Sequence, residues 1–220
     1  MARLSCAVLI SGRGSNLEAL IQACAQKDFP AEIKLVISNR ADAGGLAHAA
    51  KTGIASAVVP HRDYPTREAF EAALTKVLEA SGIELVCLAG FMRLLTAGFV
   101  DHWRDRLINI HPSLLPAFPG LDTHARALAE GVRFAGCTVH FVRAEMDHGP
   151  IIVQAAVPVL PGDDEQALAA RVLGAEHRAY PLALKLIAAG RVKVVAERTE
   201  IAGMSSGASL LLNPADDPRA

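Results

Sequence analysis

The chain has 220 residues, a length that suits one domain of ordinary size with a substantial buried core. Hydrophobic residues make up 51% of it and charged residues 20%, which excludes a disordered or fibrous protein. The formal net charge is −1, from 22 basic and 23 acidic side chains, and the sequence contains no run of Lys or Arg. Proteins that hold a polyanion usually carry a basic face or tail, so we expect no nucleic-acid partner.

Cysteine usage and the N-terminal sequence indicate the cellular compartment. Cys6, Cys24, Cys87 and Cys137 lie far apart and form no CxxC pair. We therefore expect small buried thiols in a reducing compartment, rather than disulfides or a metal site. The apolar stretch near the N-terminus is too short for a secretory signal, and no run is long enough to span a bilayer. The sequence predicts a cytoplasmic protein with no membrane contact.

Short apolar runs alternate with segments of helical periodicity through the first half of the chain. Because these runs do not alternate in polarity, they predict parallel strands covered by helices on both faces. The predicted elements are, in order, strand Cys6–Ile10, helix Leu17–Ala25, strand Ile33–Ser38, helix Gly45–Thr52, strand Ala57–Val59, helix Thr66–Ala80, strand Glu84–Ala89, helix Ala97–Trp103 and strand Leu107–His111.

The pattern changes in the second half. Two β-rich runs, Cys137–Val142 and Ile151–Val159, are separated by the short segment Arg143–Pro150 and predict an antiparallel pair at one edge of the sheet. A helix is predicted from Asp164 to about Leu186, with a kink or break at Pro181.

A last short strand is predicted at Val192–Val195, and beyond it the periodicity is lost. We therefore expect one catalytic domain at residues 1–195 and a loosely ordered tail at residues 196–220. The predicted fold is a single-domain, Rossmann-like α/β structure. Its open, mostly parallel sheet carries helices on both faces and an antiparallel hairpin at one edge.

A glycine-rich loop joins the first predicted strand to the first helix. Gly12 and Gly14 allow backbone angles denied to other residues, and Ser15 followed by Glu18 is a capping-box pattern. Leu17 stands where a dinucleotide fingerprint has its third glycine, and the Lys-Ser/Thr pair of a P-loop is absent, which disfavours a dehydrogenase or an NTPase. A tight structural turn is the alternative. The position at a strand's carboxyl end favours phosphate binding instead.

Asn109 and His111 lie two residues apart on a predicted strand and therefore point to the same face. Pro112 cannot continue a central strand, so the pair sits at the strand's carboxyl end. Such a polar pair costs stability unless it is hydrogen-bonded or used. It is a candidate catalytic pair, and the alternative is a structural pair that holds the loop Pro112–Gly120.

The turn Glu145–Pro150 supplies the nearest candidate carboxylate, Asp147. It could accept a hydrogen bond from His111 and keep the imidazole protonated near neutrality, as a general acid requires. The alternative is simple turn chemistry, because Asp-x-Gly favours turns. The sequence alone does not bring the two side chains together.

Four motifs in register closely resemble the phosphoribosylglycinamide formyltransferases, folate-dependent enzymes of purine synthesis. The resemblance runs from about Leu4 to Val195 and leaves only the tail outside. Its motifs are Ile10-Ser11-Gly12-Arg13-Gly14-Ser15-Asn16-Leu17, Leu88-Ala89-Gly90-Phe91-Met92-Arg93, Asn109-Ile110-His111-Pro112-Ser113-Leu114-Leu115-Pro116 and Met146-Asp147-His148-Gly149-Pro150.

This resemblance implies formyl transfer from 10-formyltetrahydrofolate to the amine of glycinamide ribonucleotide. It implies that the catalytic group is Asn109, His111 and Asp147. The resemblance implies that the phosphate of the ribonucleotide binds to the loop Gly12, Arg13, Gly14, Ser15 and Asn16. It implies that the ribose and glycinamide are contacted by Gly174, Ala175 and Glu176. The implied folate contacts are Arg67, Met92, Arg93, Leu94, Leu95, Arg143, Ala144, Glu145 and Met146, together with Asn109 and Asp147.

The implied reaction is direct. The amine attacks the formyl carbon, and Asn109 and a protonated His111 stabilise the oxyanion, so neither a metal nor a covalent nucleophile is expected. The expected partners are small-molecule substrates, and the chain is expected to be a monomer or a homodimer.

Three positions depart from the expected family pattern. Arg13 stands where we expect a smaller polar residue, which should leave phosphate binding intact because the loop works through its main chain. Asp122 stands where relatives often have His, and His148 where Gly is common.

Three other functions remain as alternatives. Methionyl-tRNA formyltransferase shares a similar Asn-x-His element but adds an RNA-binding domain, and formyltetrahydrofolate hydrolase usually has an extra amino-terminal domain. A non-catalytic binding module need not keep Asn109, His111 and Asp147 together. The other histidines are interpreted as structural or surface residues, and His140, which faces inward from a strand near the site, and His124 are the strongest candidates for a further role.

Overall fold

The computed structural model of the chain describes residues 2–203 and 213. The strands are β1 (Leu4–Ile10), β2 (Ala31–Ser38), β3 (Ala55–Val58), β4 (Leu85–Leu88), β5 (Leu107–His111), β6 (Phe134–Phe141), β7 (Ile151–Pro158), β8 (Val192–Val195) and β9 (Arg198–Ile201). The helices are α1 (Ser15–Cys24), α2 (Gly45–Thr52), α3 (Arg67–Ala80), α4 (Ala97–His102), α5 (Thr123–Ala129) and α6 (Glu165–Ala188), with a short 3-10 helix at His61–Asp63.

The first seven strands form one sheet of order β3-β2-β1-β4-β5-β6-β7. Strands β1 to β5 pair in parallel, whereas β6 pairs antiparallel with both β5 and β7. This confirms the predicted mostly parallel sheet with an antiparallel hairpin at one edge. The strand order reverses between β1 and β4, and open α/β sheets bind ligands at such a switch point, beyond the strands' carboxyl ends.

The sheet is buried on both faces, as the uninterrupted apolar strands predict. On β1, Cys6, Val8 and Ile10 pack in one core layer, while Ala7 and Leu9 pack in the other. The first layer includes buried residues of α1 and α6, and the second includes buried residues of α3 and α4. Burying one Leu or Ile side chain contributes roughly 1.5–3 kcal/mol, so these layers hold the central strands rigidly under the site.

Pro181 does not break the last long helix, which runs without interruption from Glu165 to Ala188. Proline at an interior position removes one helical hydrogen bond, and the predicted kink or break assumed that this loss would dominate. Packing outweighs it here, because Tyr180, Ala183 and Leu184 beside it are all fully buried against the sheet. The Tyr180 hydroxyl also donates to the carbonyl of Leu88, at 2.9 Å.

Regular structure continues past Val195, where the predicted loose tail was to begin. A two-residue turn, Ala196-Glu197, leads into β9, which pairs antiparallel with β8. The strand Arg198–Ile201 is short and polar, so its sequence carries no apolar pattern that would have predicted it. Of the rest of the predicted tail, only Ala202, Gly203 and Asn213 belong to the described residues.

The four cysteines are free and buried, as predicted. In residues 2–203, no helix is both long enough and apolar enough to cross a membrane.

Candidate active site at the carboxyl edge of the sheet

The glycine loop lies between β1 and α1 and is shaped by the approach of α2. Gly14 has a φ of 82°, and a Cβ there would lie 2.6 Å from the Cα of Gly45 at the start of α2. The Gly45 N–H donates to the carbonyl of Gly12, at 3.0 Å. Gly14 is therefore required both by its backbone angle and by this close contact. Gly12 itself has no positive φ, contrary to expectation, and a Cβ there would meet no heavy atom within 4 Å.

The capping box predicted at Ser15 and Glu18 is wrong. Gly14 is the N-cap of α1, and within residues 2–203 and 213 no side chain makes a capping hydrogen bond to this helix. The left-handed backbone of Gly14 displaces Ser15 into the helix, where its hydroxyl cannot act as the cap. The first amides of α1 thus have no side-chain acceptor, and this is the arrangement that favours an anionic ligand.

Asn16 and Glu176 link the glycine loop to α6. The Asn16 Nδ2 donates to Glu176 Oε2, at 2.7 Å, and Asn16 Oδ1 is buried without a partner in the described part of the chain. Burial raises the pKa of the Glu176 carboxyl, and the hydrogen bond from Asn16 partly offsets the shift. Gly174 lies on the exposed side of α6, about 200° around the helix from Glu176, and Ala175 is half-buried.

Asn109 and His111 point to the same face of β5, as predicted, because Ile108 and Ile110 pack in the first core layer. Asn109 is paired across the strands with His140 of β6, and its Nδ2 lies 3.5 Å from His140 Nε2. Burial lowers the pKa of His140, so its ring is neutral near neutral pH. Its Nδ1 donates to the Phe141 carbonyl at 2.9 Å, which leaves Nε2 as an acceptor for the Asn109 amide.

His111 and Asp147 are in contact. His111 Nδ1 lies 3.3 Å from Asp147 Oδ1, and the side chains are only 7% and 11% exposed. The other ring nitrogen, Nε2, lies 3.0 Å from the Phe118 carbonyl, and Asp147 Oδ2 accepts from the Gly120 N–H at 2.7 Å. Both ring nitrogens therefore face oxygen acceptors, an arrangement that a doubly protonated imidazole satisfies fully.

Phe118 and Gly120 are contacts that the sequence analysis did not assign. Both residues have a positive φ, and the Pro119-Gly120 pair between β5 and α5 is a turn signal that could have drawn attention to this loop. Of the three departures, Asp122 has a φ of 56° and precedes α5, while His148 has no positive φ. The His148 side chain thus imposes no left-handed backbone strain on the loop.

The predicted folate residues divide into two groups. Met92, Leu94 and Met146 are large apolar side chains exposed by 72%, 63% and 54%. Their exposure leaves these side chains accessible to a ligand. The Met92 N–H also donates to Ser11 Oγ at 2.9 Å, which ties this loop to the glycine loop. Leu121, which the sequence analysis did not assign, is 76% exposed beside Gly120.

The remaining members are placed differently. Leu95 packs against the second core layer, and Arg67 is exposed at the first position of α3. The Arg143 guanidinium is bound to Asp105 and Glu197. Arg93 is half-buried, and Ala144 and Glu145 are exposed.

Comparison with known proteins agrees with this geometry. Residues 4–184 match the family described as formyl transferase. The phosphoribosylglycinamide formyltransferase of Escherichia coli is 47% identical over 85% of this chain and 88% of its own length. The trifunctional purine biosynthetic protein adenosine-3 of Drosophila pseudoobscura is 55% identical, but the chain spans only 14% of that protein. The crystal structure of glycinamide ribonucleotide transformylase 1 from Symbiobacterium toebii superposes with a TM-score of 0.88 at 49% identity, covering 90% of this chain and 94% of that one.

The fold and site thus define a formyl transferase, and the chain belongs to that family. Within the family it belongs with the phosphoribosylglycinamide formyltransferases.

Proposed function

We propose that this chain transfers the formyl group of 10-formyltetrahydrofolate to the amine of N1-(5-phospho-D-ribosyl)glycinamide in purine biosynthesis. The products are formylglycinamide ribonucleotide and tetrahydrofolate. The observation that carries the proposal is the contact of His111 with Asp147, with the Asn109 amide on the same face of β5.

The reaction is a direct transfer. The lone pair of the glycinamide nitrogen attacks the formyl carbon, a C–N bond forms, and the carbonyl π electrons move to the oxygen. Collapse of this oxyanion breaks the bond to the folate N10. The amine loses one proton and N10 gains one, so atoms and charge balance without a redox partner or a covalent enzyme intermediate.

Asn109 is the first oxyanion donor. Its amide has two N–H groups, and the one that faces His140 fixes the direction of the other. A well-placed donor of this kind contributes roughly 3–4 kcal/mol to the transition state. Protonated His111 supplies the second donor when its Nε2–H turns from the Phe118 carbonyl to the substrate oxygen.

Asp147 orients His111. Its two oxygens are used separately, Oδ1 toward the imidazole and Oδ2 toward the Gly120 N–H, so the carboxylate cannot rotate without losing a contact. His111, or a water beside it, passes the proton to N10 of the departing folate.

The ribonucleotide occupies the side of the glycine loop. The uncapped amides of α1 and the loop Gly12–Asn16, which includes Arg13, hold the phosphate. Glu176 lies on the ribose and glycinamide side, where Asn16 Oδ1 has no hydrogen-bond partner among the described residues and can accept from the ligand. Gly174 is on the opposite side of α6 from Glu176, so of the three predicted residues of this helix Glu176 is the one that faces the glycine loop.

The folate occupies the other side. Its aromatic rings suit the exposed Met92, Leu94 and Met146, and its glutamate carboxylates suit Arg67 and Arg93. The remaining contacts, which include main-chain ones, come from Leu95, Asn109, Arg143, Ala144, Glu145 and Asp147.

The proposal includes the partners and the location of the protein. The substrates are small molecules, the compartment is the cytoplasm, and the chain acts as a monomer or a homodimer. No metal takes part in the proposed steps.

The experiment is an assay of folate deformylation by the purified protein, with and without glycinamide ribonucleotide. Release of tetrahydrofolate that requires the ribonucleotide supports the transferase. Release without it indicates the alternative, a formyltetrahydrofolate hydrolase. Absence of release in both cases indicates another formyl acceptor or donor on the same catalytic domain.

A further inference from the structure

The loop that carries Asp147, residues 143–149, is bonded through its first residue to the turn of the β8–β9 hairpin, residues 192–201. Arg143 Nε donates to Glu197 Oε2 at 2.5 Å, and Arg143 Nη2 donates to Asp105 Oδ1 at 2.7 Å. The Arg143 side chain is only 11% exposed, although Glu197 is 54% exposed. The second Glu197 oxygen accepts from Arg104. A nearly buried cation is thus held between two carboxylates at the start of this loop.

The Arg143 side chain lies close to the returning half of the loop. A Cβ on Gly149 would lie 3.1 Å from Arg143 Cγ and 2.0 Å from the Phe141 carbonyl oxygen. The returning half of the loop therefore passes directly over the Arg143 stem, two residues after Asp147. Beyond the loop, Thr199 of β9 donates to the carbonyl of Ile151. The first residue of the loop and the strand that follows the loop are thus both bonded to residues of the β8–β9 hairpin.

The turn that presents Glu197 is conformationally unfavourable. Ala196 and Glu197 have φ values of 48° and 58°, and Val195 pairs with Arg198 across the turn. A two-residue turn with both central φ values positive strongly prefers Asn-Gly or Gly-Gly. Strained residues persist where the surroundings hold them, and the ion pairs of Glu197 supply such a constraint here.

We propose that Glu197, acting through Arg143, is a positioning residue that holds the loop 143–149 so that Asp147 reaches His111. The expected effect of Glu197 on kcat rests on the proposed formyl transfer, whereas the position of the loop can be measured without any assay of that reaction. The loop begins at the amino end of β5, where Val142 N–H donates to Leu107, and must return to His111 at the carboxyl end. The ion pairs of Arg143 hold the first residue of the loop in place.

The test compares Glu197→Gln with Glu200→Gln in the full chain. Glu200 is an exposed carboxylate on β9, the strand that follows the turn of Glu197; it lies opposite Lys193 and is the matched control. Hydrogen exchange measures opening of the loop, and steady-state kinetics measure kcat and the KM for the ribonucleotide. Because Glu197 is half exposed, we expect about fivefold faster exchange in residues 143–149 and about fivefold lower kcat, with that KM unchanged.

A third variant, Arg143→Gln, tests whether Glu197 acts through Arg143. Adding Glu197→Gln to Arg143→Gln should then cause no further change in exchange or kcat. Unchanged exchange in Glu197→Gln would overturn the proposal. Faster exchange with normal kcat, an equal effect of Glu200→Gln, or a full additional loss in the double variant would overturn it as well. If the wild type transfers no formyl group, the proposed function fails, and the exchange comparison alone decides the role of Glu197.

Discussion

His111 Nδ1 lies 3.3 Å from Asp147 Oδ1, although His111 is the last residue of β5 and the loop that carries Asp147 begins beside the first residue of that strand. The loop after β6 begins beside Leu107, where the Val142 N–H donates to the Leu107 carbonyl, and returns along the sheet face to reach His111. The pair is nearly buried, so its electrostatic interaction is screened less than that of a surface ion pair.

His111→Ala should lower kcat by about 100- to 10,000-fold, because it removes both an oxyanion donor and the proton carrier. The fold should survive, with a loss of about 1–3 kcal/mol from the acceptors left unpaired at Phe118 and Asp147. Kinetics and circular dichroism check both expectations. His102→Ala, an exposed histidine paired with Glu79, is the control and should keep normal turnover. Near-normal activity of His111→Ala would remove His111 from the reaction.

Asp147→Asn should lower kcat by about 100-fold or more, because the amide cannot stabilise a charged imidazole as a carboxylate does. The hydrogen bond from Gly120 can persist through the amide oxygen, so the loop should stay in place. The measurement is kcat at saturating concentrations of both substrates. Asp101→Asn, on the exposed surface of α4, is the matched control. An unchanged kcat in Asp147→Asn would contradict the assigned role.

Gly14→Ala should lower the stability of the fold, whereas Gly12→Ala should weaken binding of the ribonucleotide. At Gly14 the left-handed backbone and the contact with Gly45 make alanine costly, by about 1–3 kcal/mol in the free energy of unfolding. At Gly12 a Cβ meets no neighbour, so stability should stay within about 0.5 kcal/mol. The methyl group should nevertheless obstruct the phosphate and raise the KM for the ribonucleotide. Denaturant titration and kinetics distinguish the two effects, and a normal KM in Gly12→Ala would argue against this loop as the phosphate site.

Glu176→Gln should change the pH dependence of stability. Burial raises the pKa of this carboxyl above 4.5, partly offset by Asn16, so the folded chain keeps a proton that the unfolded chain has released. The contribution of Glu176 to wild-type stability is therefore present below about pH 4.5 and is lost as the pH rises through the folded pKa. Glutamine has no charge to bury, so the variant should be more stable than wild type at neutral pH.

The stability difference between Glu176→Gln and wild type should disappear near pH 4.5, and urea titrations at the two pH values measure it. Glu130→Gln, at an exposed position, controls for removal of a charge. If Glu176→Gln were less stable than the wild type at neutral pH, the result would contradict the proposed cost of burying the charged Glu176 carboxylate.

Much of the fold could be predicted because the central strands are buried on both faces. Uninterrupted apolar runs such as Cys6–Ile10 mark such strands, and the two-residue period placed Asn109 and His111 on one face. The elements that were missed or misjudged lack such a pattern. β9 is polar and short, and Pro181 was tolerated because long-range packing outweighed a local preference.

The site was only partly predictable. The contact of His111 with Asp147 depends on how a loop returns across the sheet, and no local pattern encodes that path. The same holds for the Phe118 carbonyl and the Gly120 N–H, which act through the main chain. The capping box failed because the left-handed Gly14 shifts the helix start by one residue.

The most direct test of the central claim follows the formyl carbon itself. The wild type and His111→Ala are each mixed with glycinamide ribonucleotide and 10-formyltetrahydrofolate labelled with carbon-13 in the formyl group, and the label is followed by NMR. With the wild type the label should appear on the amide of formylglycinamide ribonucleotide, and with His111→Ala it should stay on the folate. Label released as free formate by the wild type, or transferred equally well by His111→Ala, would contradict the account.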